Sequence, residues 1–211
     1  IVKVKEPQTS ERKMLRDGQV LFTYLHLAPD PEQTHDLLAS GCTAIDYETV
    51  TDATGGLPLL APMSEVAGRL APQVGAWTLQ TANGGRGVLM GGVPGVGPAQ
   101  VVVIGGGVVG THAARVAAGM GADVTVLDRS LPRMRYLDDA FGGLFKTSFA
   151  SAGNTAELVA QADMVVGADG ANSAVARHLD LQKKKQMPTE TMLYFAYWTG
   201  VAERNTQDFF F

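Results

Sequence analysis

The sequence predicts an α/β fold: a Rossmann-type doubly wound parallel sheet, preceded by part of a second α/β lobe that would hold substrate. Three observations carry that reading. Strand-like and helix-like segments alternate at short spacing along most of the 211 residues, the pattern of a parallel sheet wrapped by helices. Within VVVIGGGVVGTHAARVAAGMGADVTVLDRS (101–130), Gly105, Gly107 and Gly110 fall directly after an apolar run and directly before an alanine-rich one. The next apolar run then closes on an acid, Asp128.

From the amino end, IVKVKEPQ reads as a strand already under way, which predicts further sequence upstream. VLFTYLHL (20–27) reads as a strand, PDPEQTHDLLASG (29–41) as a helix ended by Gly41, and CTAIDYETV (42–50) as a second strand; together they form one β-α-β unit. A turn over Asp52 to Gly56 leads to 58–80, helical by the spacing of Val66, Leu70, Val74 and Trp77. Pro72 interrupts that helix, and an internal proline costs ~3 kcal/mol, so a kink or two shorter helices is expected. The glycine-rich stretch 81–100 reads as a loop and a candidate linker between two lobes.

Strand 101–104, helix 108–120 capped by Gly121 and strand 123–128 follow. Ala113, Ala114, Ala117 and Ala118 are small enough to let that helix lie close on a sheet. Leu131 to Phe141 reads as a helix and 145–151 as a strand. Asn154, with Glu157 three residues on, signals another helix start, and 163–168 is a fourth strand. Beyond it the rhythm weakens to a short helix after Gly170, a polar stretch, an aromatic strand over 191–200 and three terminal phenylalanines. The expected organisation is therefore a partial substrate lobe over 1–80, a dinucleotide-binding domain over 81–180, and an irregular tail over 181–211 with one strand.

Composition narrows the function. A net charge of −4 offers no basic face for nucleic acid. The one cysteine, Cys42, excludes an internal disulfide framework and a thiolate metal site, and it suits a reducing, cytoplasmic setting. No apolar run approaches the ~18–20 residues of a membrane span. The glycine turn points to a dinucleotide: the first glycine makes the tight turn, the second admits the pyrophosphate, and the third lets helix and strand pack closely. The helix amino end adds N–H groups and a positive dipole end. Asp128 suits a ribose diol and would repel a 2′-phosphate, which favours NAD, although Arg129 beside it softens the preference.

The stretches VKVKEP (2–7), LFTYLHLAPDPE (21–32), AIDYETV (44–50), LPLLAPMSEVAGRLA (57–71), GGRGVLMGGVPGV (84–96) and 101–128 together resemble the alanine dehydrogenase family, which is related to the NAD-binding subunit of transhydrogenases. The resemblance runs over 1–168. It implies NAD-dependent oxidative deamination of L-alanine to pyruvate and ammonia, in a cytoplasmic homo-oligomer with small-molecule partners only. By motif it implies that Lys5 binds the substrate carbonyl or carboxylate and that His26 is the acid/base, an imidazole being able to exchange protons near neutral pH. It further implies that Ser64, read as standing ahead of a helix, bonds a cofactor phosphate, and that Arg133 lies near the adenosine ribose. Plain structural roles compete for each residue: a solvated lysine, a structural histidine, a helix cap and a surface arginine.

The family also carries a substrate-binding arginine ahead of this first residue and a catalytic aspartate beyond Ala168, and neither has a counterpart here. Activity is expected to suffer while NAD binding survives. VVGADGANSAVARHL (165–179) with 191–201 resembles instead the G-A-D-G-x-x-S segment of aromatic-hydroxylase flavin monooxygenases. A fragment of an FAD-dependent monooxygenase and a catalytically inactive NAD-binding module are thus the alternatives, with Asp169 and Gly170 read first as a turn.

Overall fold

The computed structural model describes residues 1–170, 173–175 and 197–198, and the chain divides into two compact units, Ile1–Met63 and Ser64–Phe211. The sequence had suggested a division near residue 80. The difference arises because the helix assigned to the first lobe packs, from Ser64 onward, into the core of the second unit.

In unit 1, helix α1 (Thr9–Arg12) precedes strand β1 (Val20–Thr23), helix α2 (Pro31–Ser40) and strand β2 (Thr43–Asp46). The two strands are parallel, Val20 opposite Thr43 and Thr23 opposite Asp46. The expected β-α-β unit is present with shorter strands: β1 stops at Thr23 because the chain turns out of the ladder before His26, which sits at φ 47°. At its far end β2 passes into a 3-10 turn, Tyr47–Thr49. Asp30 caps α2 by accepting the Gln33 N–H at 2.9 Å, and Gly41 ends it at φ 71°. α1 left no mark in the hydrophobic pattern; it is fixed by Arg12, whose guanidinium is buried against Asp36 at 2.6 Å and Glu32 at 3.1 Å of α2. Leu21, Leu25 and Leu37 form this unit's core.

Unit 2 takes up helix α3 (Ala61–Thr78) from Ser64 and adds a 3-10 turn at Thr81–Asn83. It continues with β3 (Gln100–Ile104), α4 (Val108–Gly119), β4 (Asp123–Asp128), α5 (Leu131–Phe141), β5 (Lys146–Phe149), α6 (Ala152–Gln161) and β6 (Met164–Gly167). The sheet order is β5-β4-β3-β6, all parallel, with the two residues of β7 (Tyr197–Trp198) antiparallel on β6. The rest of the expected tail strand, the short helix after Gly170 and the polar stretch lie outside the described residues.

Strand alternation distributes the core over both faces. Val101, Val103, Val124, Val126, Met164 and Val166 turn to one face, where they meet Ala67 and Ala71 of α3, Ala113, Ala114 and Ala117 of α4, and Leu137 of α5. Val102, Leu127 and Val165 turn to the other, against Leu158 and Val159 of α6. Helices on both faces of a parallel sheet make the doubly wound arrangement that the sequence predicts.

Three local readings need correction. α3 runs unbroken through Pro72, which is buried together with Ala67, Gly68, Ala71 and Gly75; burying that face offsets the proline's ~3 kcal/mol. α6 starts at Ala152 with Ser151 as its cap, accepting the Asn154 N–H at 3.1 Å, so Asn154 lies inside the helix. The glycine-rich stretch is a loop, as expected, but it lies within the second unit and does not link the two. Met90 and Ala99 are in the core, and Arg86 pairs with Asp163 at 2.7 Å while Asp163 also accepts the Gln100 N–H at 2.9 Å.

Candidate functional site

The parallel order places β3 at the centre, with β4 on one side and β6 on the other. Chain direction reverses its winding between β3 and β6, and ligands of open α/β sheets bind outside the strand ends at such a point. Gly105 leaves β3 there at φ 103°, and a Cβ on it would collide with the carbonyl of Ala168 after β6. Gly110, in the first turn of α4, lies so close that a Cβ would overlap the Gly105 carbonyl. Both glycines are demanded by close backbone packing. Gly107 differs: a Cβ there would meet no atom within 4 Å, so its missing side chain leaves open room at the helix mouth. It is also the N-cap of α4, with no side-chain cap bond to occupy the amino end. A diphosphate fits such a mouth, since the first N–H groups of a helix have no partner within it and Gly107 brings no side chain to cover them.

Asp128 ends β4 with its carboxylate turned to this turn. One oxygen accepts the Gly106 N–H at 2.7 Å and the other the Ser130 N–H at 2.7 Å. A carboxylate offers about four acceptor sites, so each oxygen retains capacity for a ribose hydroxyl. Arg133, capped into α5 through Ser130, reaches back to the same loop. Its Nε donates to the Gly106 carbonyl, its Nη2 donates to Thr111 Oγ1 at 2.8 Å, and its guanidinium lies 4.7 Å from the Tyr136 ring centroid. Thr111 in turn donates to the Gly107 carbonyl at 2.7 Å. The loop is thus held from both sides, by Asp128 at an N–H and by Arg133 at a carbonyl. Ser64 is the fourth residue of α3, inside the helix and not ahead of it, so the N-cap alternative falls. It lies one turn before Gly68, where α3 meets Val109 and His112 of α4.

Asp169 follows β6. Its carboxylate accepts from Ser173 Oγ at 2.6 Å and from the Ala174 N–H at 2.7 Å. Both of its oxygens are thus engaged within the chain.

Lys5 and His26 lie in unit 1, at the end of β1. Thr23 donates its hydroxyl to the Val4 and Lys5 carbonyls, 3.1 Å each, which pins the Lys5 backbone beside the strand end. The Lys5 ammonium pairs with Glu6 at 2.7 Å; burial would raise the Glu6 carboxyl, but Lys5 and His26 hold it low. His26 Nδ1 pairs with Glu48 of the 3-10 turn, and Tyr24 stacks on the imidazole with ring planes 6° apart. The Glu48 bond raises the His26 pKa above its usual 6.5, against the opposing pull of burial, and Glu6 and Asp46 add to the rise. Asp46 is pushed up by burial and by Glu48, whereas the His26 bond draws Glu48 down despite burial. The two carboxylates escaped the sequence reading, although Asp46 and Glu48 alternate at the end of the strand that pairs with β1, a placement that brings them to His26. No group of three or more metal-ligating side chains occurs among the described residues.

The chain matches two family descriptions: "Alanine dehydrogenase/PNT, N-terminal domain" over residues 1–67 and "Alanine dehydrogenase/PNT, C-terminal domain" over 71–183. It is 58% identical over 168 residues to an alanine dehydrogenase of Halomonas elongata, covering 80% of this chain and 45% of that protein. The identity is 59% over 168 residues to an alanine dehydrogenase of Mycobacterium tuberculosis H37Rv, again covering 80% of this chain and 45% of the relative. A solved L-alanine dehydrogenase superposes with a TM-score of 0.70 at 48% identity, covering 80% of this chain and 47% of the other. A transhydrogenase from Sinorhizobium meliloti shares the fold, with a TM-score of 0.58, 24% identity and coverage of 78% and 48%. The chain spans about half the length of the curated relatives it matches.

Proposed function

The chain belongs to the alanine dehydrogenase/PNT family, and from that premise we propose that it carries the NAD-binding domain and part of the substrate lobe of an enzyme that converts L-alanine, NAD and water to pyruvate, ammonium, NADH and a proton. The observation that carries the reading is the glycine turn at the reversal of winding, open at Gly107 and flanked by the Asp128 carboxylate. NAD, when bound, supplies the hydride acceptor.

The remaining work falls to the chain's own residues. Gly107 lets the backbone approach the diphosphate, while Gly105 and Gly110 keep the turn tight against the end of β6 and the first turn of α4. Asp128 accepts the ribose hydroxyls, and its negative charge disfavours a 2′-phosphate, which selects NAD over NADP. Arg133 keeps the loop in shape from beside the ribose position, and Ser64 supplies a hydroxyl to a phosphate. In the substrate lobe, Lys5 offers an ammonium to the carboxylate of alanine or pyruvate. His26, tied through Nδ1, presents Nε2 as the atom that takes up or returns a proton as water adds to the imine and ammonia leaves. The proposal includes a cytoplasmic homo-oligomer with small-molecule partners alone. Exposed apolar side chains such as Leu38 and Val66 support association, and no helix among the described residues is long and apolar enough to cross a membrane.

Isothermal titration of the chain with NADH, followed by alanine and NAD with absorbance of NADH as the readout, tests this directly. Binding with alanine-dependent reduction supports the full reading. Binding without turnover reduces the chain to a nucleotide-binding module, and flavin in the purified protein overturns the assignment.

A further inference from the structure

His26 holds a backbone conformation that side chains rarely adopt, φ 47°, and such strain persists only where the surroundings over-determine it. Its surroundings supply that constraint. Asp46 accepts the Leu25 N–H at 3.1 Å and the Glu48 N–H at 3.2 Å through the same oxygen, so one carboxylate ties the chain just before the histidine to the turn that carries Glu48. Tyr24, stacked on the imidazole, is itself fixed by donating to the Leu59 carbonyl at 2.6 Å and by an edge contact with Tyr47, ring centroids 4.9 Å apart. The ring therefore has one orientation, with Nδ1 on Glu48.

We propose that Glu48 is the positioning residue of the His26 acid/base: it holds the Nδ1 proton, so that the neutral imidazole carries its lone pair on Nε2, the atom left to face a reactant. The inference rests on the assignment of His26 above. A general base at Nε2 requires the Nδ1–H tautomer, whereas the free histidine side chain prefers the other, and a carboxylate on Nδ1 is the general device for reversing that preference. The groups that face His26 are Glu48 from the 3-10 turn, Asp46 from β2 and Glu6, itself paired with Lys5, from the amino-terminal segment. Among the described residues Glu48 bonds the ring, and Glu6 and Asp46 act through charge. The Glu48 bond and that charge together place the imidazole's titration above its usual 6.5, against the opposing pull of burial.

The test is an NMR titration of the imidazole nitrogens in the full chain, with the His26 signals assigned by their loss in His26→Asn. In the wild type the midpoint lies above 6.5 and the neutral ring is protonated on Nδ1. Glu48→Gln removes the charge and keeps an acceptor, so the midpoint falls toward 6.5 while the tautomer stays. Glu48→Leu removes both, and the neutral ring relaxes to the Nε2–H form. Glu6→Gln shifts the midpoint less and leaves the tautomer alone. An Nε2–H tautomer in the wild type, or a midpoint unmoved by Glu48→Gln, overturns the proposal even if the leucine variant fails to fold. None of these readings requires NADH or turnover, so failure to bind NADH would sink the proposed function while the tautomer that Glu48 imposes on His26 is still tested.

Discussion

At the scale of the residue, what each carboxylate touches decides its chemistry. Asp128 makes two backbone bonds and retains acceptor capacity. Asp128→Ala should therefore weaken NADH binding by the worth of charge-assisted hydrogen bonds, ~1.5–3 kcal/mol or roughly tenfold to a hundredfold, measured by titration. His26 supplies a second prediction. Its pKa in the folded chain is raised above 6.5 by the Glu48 bond and opposed by burial. The ion pair's contribution to stability is then complete below 6.5 and is lost as pH rises through the raised value. Thermal melts across that window should show the loss in the wild type and a flatter profile in His26→Asn. Asp128 and the glycines were legible because motif and strand order fix them together. Glu48 was not, because its role comes from a pairing between strands distant in sequence, and Arg133 could not be told from a surface arginine until its bonds to Gly106 and Thr111 were seen.

At the scale of the element, the glycine turn allows a sharper separation between folding and binding. Gly107→Ala places a methyl in open space at the mouth of α4, so thermal stability should stay within about 0.5–1 kcal/mol of the wild type while NADH affinity collapses. Gly110→Ala drives a methyl into the Gly105 carbonyl, so it should cost stability and binding together. Comparing melting temperature with affinity for the two variants checks this. β3, α4 and β4 were readable because pattern, glycines and caps agree, the consistency that marks a well-specified segment. α1, the unbroken run through Pro72 and the anchoring of the glycine-rich loop within the second unit were not, since each is decided by tertiary partners: Arg12 with Asp36, the buried face of α3, and Arg86 with Asp163. Arg86 is half exposed, so Arg86→Ala should cost only about 0–1 kcal/mol in denaturant unfolding.

At the scale of the whole molecule, the two units differ in how much they bury. Unit 1 has a two-stranded sheet over a core of Leu21, Leu25 and Leu37, whereas unit 2 has helices on both faces of its sheet and the larger core clusters. A two-stranded sheet is marginal by itself, so hydrogen exchange should be faster at the β1 and β2 amides than at β3 and β4, and equal protection in both units would contradict the difference. Titration of the chain with NADH, in the wild type and in Gly107→Ala and Asp128→Ala, tests the central claim most directly. The account predicts one NADH per chain, with affinity lost in the first variant and reduced at least tenfold in the second. Absence of binding to the wild type, or equal affinity in all three proteins, would contradict it.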